Sequence, residues 1–261
     1  VAVTDCLNFG SPEKPDGYYQ LSECIEGMAQ ACEAFETPVV SGNVSLFNET
    51  DQGAVYPTPT VGMVGIFEDV SRHATPAFKR EGDMVVIVGE PVGEARNRPL
   101  DGSEYLEIVH GKVAGVPAKP NLLAEKKYSD LIRGFVADGI VDTVHDLSGG
   151  GEFLALAEMV LAGGIGFEYG GEVEREELLY DGRGDAGLFG ERGACFLIAV
   201  PEARWDDLQD ALIGSAYDFI GYTGGDRFKA YDLIDVGLSE LRHAYERDLF
   251  ERHAPAGGHI G

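Results

Sequence analysis

No apolar run in this chain is longer than a strand. Met84 to Val88 and Phe196 to Val200 are among the most sustained, far short of the roughly 20 residues that cross a bilayer. Between such runs lie segments whose apolar residues recur every three or four positions. That alternation restricts the fold to mixed helix and sheet, α/β or α+β, with the sheet topology left open. At 261 residues and 44% hydrophobic content, the chain is long enough for a substantial core and for two compact units. No membrane segment or membrane partner is expected. The opening Val-Ala-Val-Thr-Asp has neither a basic region nor a signal-type apolar stretch, and it reads as a strand entered midway with no secretory leader.

Along the chain, Val1 to Val3 reads as a short strand and Asp5 to Gly17 as a loop broken by Gly and Pro. From Tyr18 to Phe35, the positions Leu21, Cys24, Ile25, Met28, Cys32 and Phe35 fall on one helix face, which makes Cys24 and Cys32 packing residues. Pro38-Val-Val is a brief strand opening into a polar loop, Ser41 to Glu49, and a strand at Val61 to Phe67 follows. Glu68 to Asp83 mixes charges with Pro76 and reads as the connection between units, which places the boundary near residue 70. The second unit is expected to contain strand Met84 to Val88, helix Leu122 to Val136, strand Val141 to Val144 and helix Glu152 to Leu161. Strands Gly166 to Tyr169 and Ala194 to Val200, helix Trp205 to Ile213, a Gly-rich hairpin at Gly221 to Asp226 and a terminal helix Leu238 to Arg252 complete it.

Two loop clusters hold groups suited to chemistry. The first joins Asp5 and Asn8 with Gly42-Asn43-Val44-Ser45, Asn48 and Glu49. Carboxylate and amide oxygens are hard ligands of the kind Mg²⁺ takes in small number beside phosphate oxygens, and a glycine lets a phosphate approach the backbone. The same residue types also simply make turns after strands. The second is Asp146-Leu-Ser-Gly-Gly-Gly-Glu152, which reads either as an anion cradle at a helix start or as a capped tight turn, with Ser148 or Asp146 as the cap; the cap is the favoured reading. Cys6, Cys24, Cys32 and Cys195 form no CxxC pair and no zinc-ligand spacing, so neither a structural metal nor a disulfide framework is expected, and a reducing cytoplasm fits.

The blocks Thr4-Asp-Cys-Leu-Asn-Phe-Gly-Ser-Pro-Glu-Lys-Pro15, Glu26-Gly-Met-Ala29 and Thr37-Pro-Val-Val-Ser-Gly-Asn-Val-Ser-Leu-Phe-Asn-Glu49 closely resemble the second half of the phosphoribosylformylglycinamidine synthases. The resemblance continues in order through Pro57 to Gly65, Gly102-Ser-Glu-Tyr105, His145 to Gly151 and Leu161 to Gly166, over most of the chain. It implies the fold of the aminoimidazole ribonucleotide synthetase-like ATP-binding superfamily. Residues 1–70 would be the latter part of the second amino-terminal-type domain, and 71–261 the second carboxy-terminal-type domain. Residue by residue, it implies Asp5 and Gly42 at ATP, Asn43 on Mg²⁺ and Ser45 at formylglycinamide ribonucleotide. The family's catalytic His lies in an amino-terminal half outside this chain, so none of the six His residues inherits that role, and His110 and His145 read as structural.

The implied reaction is the ATP-driven conversion of that formamide to an amidine through an iminophosphate. The implied partners are the missing amino-terminal half, a glutaminase subunit that supplies ammonia and a small accessory subunit, and the fragment alone is expected to be inactive. Leu188-Phe-Gly-Glu-Arg-Gly193 departs from the family's Gly-Glu-Ser pattern at Arg192, which takes that loop off the list of substrate-contacting segments. Alternatives are a noncatalytic nucleotide-holding scaffold, or another superfamily member such as aminoimidazole ribonucleotide synthetase or selenophosphate synthetase; the Asn8 to Pro15 block argues against those two enzymes.

Charge sets the last constraint. Acidic residues outnumber basic ones 45 to 20, for a formal charge of -25, which repels phosphate backbones and makes nucleic acid a poor partner. The excess is spread along the chain, and seven of the basic residues are Lys, a pattern that suits a halophilic cytoplasm where salt screens self-repulsion. The urea midpoint of unfolding is therefore expected to rise as KCl is raised from about 0.1 M to about 1 M, where the screening length shortens from about 10 Å to about 3 Å. A fold equally stable in dilute buffer contradicts the halophilic reading.

Overall fold

A strand paired along both edges opens the chain. In the computed structural model, which describes residues 1–89, 100–117, 119–170, 184–231 and 233–246, β1 (Ala2–Asn8) is followed by helix α1 (Pro15–Phe35) and strand β2 (Val39–Ser45). A two-residue ribbon, β3 (Glu49–Thr50) with β4 (Gly53–Ala54), precedes β5 (Thr58–Val64). β1 lies between β2, parallel, and β5, antiparallel. The parallel pair needs a crossover, and α1 supplies it.

Strand structure extends further than the propensities indicate. Asp5 and Asn8 belong to β1, and Gly42, Asn43 and Ser45 belong to β2, so both expected loops are strand at these positions. Pairing on both edges satisfies the peptide groups of β1 and outweighs the poor strand propensity of Asp and Asn. β5 accepts Pro59 because it is an edge strand of this sheet. α1 starts at Pro15, where a missing N–H costs nothing, and ends with Glu36 in the left-handed region at φ 53°. Its half-buried stripe includes Leu21, Cys24, Met28, Cys32 and Phe35, while Ile25 is exposed; burial pushes the Cys24 thiol up.

The chain divides into two compact units, Val1–Ser71 and Arg72–Gly261. The second is built on a sheet that contains, among the described residues, β6 (Met84–Gly89), β7 (Thr143–Asp146), β8 (Phe167–Tyr169), β9 (Cys195–Val200), β10 (Tyr217–Thr223), β11 (Arg227–Ala230) and β12 (Ile234–Gly237), in the order β12-β11-β8-β10-β6-β9-β7. Among the described residues its helices are α2 (Glu104–His110), α3 (Leu122–Ala137), α4 (Gly151–Gly163), α5 (Gly184–Phe189), α6 (Trp205–Ala211) and α7 (Leu238–Tyr245). Both faces of the central strands are covered. Val85, Ile87, Leu197 and Ala199 pack in one cluster with Phe153, Leu156 and Val160 of α4, and Val86, Val88, Ile198 and Val200 pack in another with Tyr128, Ile132 and Phe135 of α3. This two-sided burial explains why β6 and β9 read as continuous apolar runs rather than as alternating ones.

The Gly-rich segment is not a hairpin. β10 and β11 are joined through Gly224 and Gly225, but β8 lies between them, pairing antiparallel with β10 and parallel with β11. The adjacent hairpin is instead β11 with β12. The Gly-Gly signal reports left-handed backbone, φ 68° at Gly225, which a wider connection uses as readily as a tight turn. The expected terminal helix is present from Leu238 to Tyr245; its continuation toward Arg252 lies outside the described residues.

A charged clasp holds the entrance to β6. Asp83, 2% exposed, receives Arg80 Nε at 3.1 and 3.0 Å, and the same guanidinium grips Asp142 with two bonds of 2.9 Å. Burial raises Asp83 above the usual carboxylate range against the pull of Arg80, whereas hydrogen bonding from Arg80 lowers Asp142. Asp142 therefore contributes stability that is full above the unfolded Asp value of about 3.9 and is lost as pH falls through its lower folded value. Asp83 has the opposite sign, its contribution falling as pH rises through its raised folded value. Arg80→Leu leaves Asp83 buried and unpaired and is expected to cost about 3 kcal/mol in urea unfolding at neutral pH.

Candidate functional site

The register of β1 against β2 decides which candidate residues meet. Asp5 stands opposite Gly42, Cys6 opposite Asn43 and Asn8 opposite Ser45. Successive side chains of a strand leave from opposite faces, so Asp5 with Gly42 occupies one face and Asn43 with Ser45 the other. On the first face, a Cβ at Gly42 would overlap Asp5 Oδ1 and lie 2.9 Å from its Cγ. Gly42 is thus the position that lets the Asp5 carboxylate lie over β2. Val3 and Leu7, both buried, share this face by alternation.

The opposite face is polar. Asn43 Nδ2 donates to Ser45 Oγ at 3.2 Å and to Cys6 Sγ at 3.7 Å, and Asn8 Nδ2 donates to the same sulfur at 3.6 Å. The structure therefore brings Asn43 and Ser45 together, brings Asp5 and Gly42 together, and separates the two pairs across the sheet. Cys6, absent from the expected site residues, is the centre of the polar face. Carrying β1 through Asn8 would have exposed its position, since Cys6 and Asn8 then share a face by parity alone.

Asn48 and Glu49 turn out to fasten the loops together. Asn48 Nδ2 donates to the Ser45 carbonyl at 3.0 Å. Glu49 accepts Ser11 N–H at 2.7 Å and Lys14 Nζ at 2.6 Å, and these bonds, Lys14 foremost, hold its carboxyl below the usual range. Backbone bonds from Phe47 N to Gly10 O and from Asn48 N to Phe9 O, each 3.1 Å, run alongside.

In the second unit, the glycine cradle is filled by the protein itself. Glu191 Oε1 accepts Gly150 N–H at 3.0 Å and Glu104 N–H at 2.9 Å, so one carboxylate serves the starts of α4 and α2, where helix termini favour negative charge. Neither Ser148 nor Asp146 caps α4: its N-cap is Gly150, at φ 76°, with no side-chain cap bond. Gly150 holds the N-cap position with no side chain to offer, and its own N–H is taken by Glu191. The tight approach also demands glycine, because a Cβ at Gly151 would come within 2.7 Å of Gly190 O. His145 Nε2 meets Glu158 at 3.1 Å, and Tyr245 donates to the other oxygen of that carboxylate at 3.2 Å, a tie between β7, α4 and α7.

Known proteins place this fold. Residues 1–67 match the family model of the AIR synthase related protein, N-terminal domain, and residues 80–232 match that of the AIR synthase related protein, C-terminal domain. The chain belongs to the AIR synthase related family. Its curated relatives include the phosphoribosylformylglycinamidine synthase subunit PurL of Moorella thermoacetica, 43% identical over 95% of this chain, and that of Thermomicrobium roseum, 42% identical over 96%. The chain spans about a third of the length of these relatives, 33% in both cases. Solved structures with the same fold include PurLQS of Thermotoga maritima, TM-score 0.66 at 18% identity over 100% of this chain and 40% of that one. The T. maritima PurL complex with ATP gives a TM-score of 0.64 at 17% identity over 92% and 37%. HypE of E. coli, a hydrogenase maturation protein, shares the fold at a TM-score of 0.56 and 17% identity over 90% and 72%.

Gly42→Ala forces Asp5 off β2 and is expected to lower stability by about 2 kcal/mol, as overpacking does. Asp5→Ala in the Gly42→Ala background is expected to recover most of that loss in thermal unfolding, because it removes the atoms that clash.

Proposed function

We propose that this chain is the carboxy-terminal part of a PurL-type synthetase, which converts formylglycinamide ribonucleotide to the amidine with ATP and glutamine-derived ammonia. The observation that carries this reading is 43% identity to a PurL subunit sustained over 95% of the chain. In the proposed reaction the formamide oxygen attacks the γ-phosphorus of ATP, releasing ADP and giving an iminophosphate. Ammonia then adds to the activated carbon and inorganic phosphate leaves with the former formamide oxygen. The missing amino-terminal half supplies the catalytic His, a glutaminase subunit the ammonia, and a small accessory subunit joins the assembly. Residues 1–70 act as the latter part of an ATP-binding domain and 71–261 as its carboxy-terminal companion. The assembly works in a cytoplasm, and the acidic surface fits a salt-rich one.

The four site residues divide the work by face. Asp5 and Gly42 meet ATP, while Asn43 takes Mg²⁺ and Ser45 the ribonucleotide. β2 is an edge strand of its sheet, so a ligand lying along that edge reaches both faces, and Gly42 is where it crosses. The residues present fit Mg²⁺ in one respect: the amide nitrogen of Asn43 is occupied by Ser45 and Cys6, which leaves Oδ1 as the part of the group available to a ligand. Among the described residues there is no cluster of three His, Cys, Asp or Glu that could cage a metal, and Mg²⁺ characteristically uses one or two protein ligands beside phosphate and water. When bound, the ion neutralises charge on the transferring phosphoryl group. Ser45 orients substrate, and the Asp5 side chain over Gly42 fixes where the nucleotide can lie.

Asn43→Ala in the full-length polypeptide is expected to abolish ammonia-dependent ADP release with formylglycinamide ribonucleotide, about a hundredfold or more, while circular dichroism stays native. Retained turnover assigns the polar face to an auxiliary nucleotide site or a scaffold instead. Residues 1–261 alone are expected to release no ADP.

A further inference from the structure

Two side-chain amides aim their NH₂ groups at one sulfur. Asn8 Nδ2 approaches Cys6 Sγ to 3.6 Å from along β1, and Asn43 Nδ2 approaches it to 3.7 Å from β2. A carboxamide has two N–H donors and one oxygen. Asn43 directs its donors to Cys6 Sγ and, at 3.2 Å, to Ser45 Oγ, so Oδ1 is the part of the group left to meet a ligand. The residue is exposed. Turning the amide over would set Oδ1 against the sulfur that Asn8 already uses as an acceptor and would present N–H donors outward. Donors repel a cation.

We infer that Cys6 is a positioning residue for the metal site: its sulfur, held as an acceptor between Asn8 and Asn43, fixes the orientation in which Asn43 offers oxygen rather than nitrogen. The inference rests on the reading of Asn43 as a Mg²⁺ ligand. It also gives Ser45 a polarity. Because its oxygen accepts from Asn43, its own hydroxyl hydrogen is directed to an acceptor on the ribonucleotide. The chain of bonds thus sorts the face into an acceptor for the cation and a donor for the substrate. A sulfur suits the centre of this chain, since as a weak acceptor it orients both amides without competing for the metal's hard ligands.

The test compares Cys6→Ala with Cys6→Ser in the full-length polypeptide. The two differ by a single acceptor atom and leave similar space. Mn²⁺ serves as the probe, its binding in the presence of ADP followed by electron paramagnetic resonance, with Asn43→Ala used to identify the component that belongs to this site. Cys6→Ala is expected to raise the Mn²⁺ dissociation constant of that component about tenfold, in line with lost outer-shell partners, and Cys6→Ser to restore most of it. Turnover of Cys6→Ala is expected to recover at saturating Mg²⁺, so that the change lies in metal dependence and not in the maximal rate. If Asn43→Ala removes no Mn²⁺ component, the metal reading itself falls, and the inference with it. If Asn43→Ala removes one that Cys6→Ala leaves unchanged, or if Cys6→Ser is as weak as Cys6→Ala, the positioning role alone is overturned.

Discussion

The double pairing of β1 is the constraint on which the site depends. With β2 on one edge and β5 on the other, the strand has no freedom to rotate, and parity alone assigns each side chain to a face. A slip of one residue would move Asp5 to the face of Asn43 and expel Cys6 from it. The loops beyond both strands oppose such a slip. Phe9 N–H bonds Ser45 O at 3.0 Å, and the segment from Phe47 to Glu49 is then stitched to Phe9, Gly10, Ser11 and Lys14. Phe47 adopts φ 60° to make the turn, a conformation a bulky residue takes only when its surroundings over-determine it. The polar groups that sit past the strand ends, Asn48 and Glu49, are thereby spent on register, and those within the strands are not needed for it.

The same division of labour appears in the second unit with the opposite outcome. Its glycine-rich turn has the geometry of an anion cradle, but the anion is Glu191, which bonds the amino ends of both α2 and α4. Two helices without an acidic residue at that point would each leave donors unsatisfied. One carboxylate answers both and fixes the loop that carries it. A glycine-rich strand-to-helix turn is therefore a statement about close backbone approach, here to Gly190, before it is one about a ligand.

Much of this was legible in the sequence, though unevenly. The helices Tyr18 to Phe35, Leu122 to Val136 and Glu152 to Leu161 and the strands at Met84 and Phe196 follow from periodicity and run length, because each is long enough for its own pattern to dominate. The extents of β1 and β2 were not, since Asp5, Asn8, Asn43 and Ser45 are poor strand formers whose conformation is imposed by pairing with residues up to 56 positions away. The false hairpin at Gly221 to Asp226 has the same origin: β8, more than 50 residues earlier in the chain, inserts between its two arms, and no local signal carries that information. Side-chain identity within the site was read from motif, whereas the sorting of those side chains onto two faces required the register.

That sorting bears on how so acidic a chain would receive the polyphosphate of the proposed reaction. With a formal charge of -25, another carboxylate beside the phosphates would add repulsion where the proposed chemistry needs neutralisation. An amide at position 43 offers the metal a hard oxygen without adding charge, and the hydroxyl of Ser45 is likewise neutral. The carboxylate nearest in sequence register, Asp5, is held on the far face over Gly42, and Glu49 is neutralised by Lys14. The polar face of β1 and β2 is accordingly built from Cys6, Asn8, Asn43 and Ser45, side chains that orient and coordinate through dipoles, so that in the proposed reading the charge at the reacting phosphate is left to the metal ion.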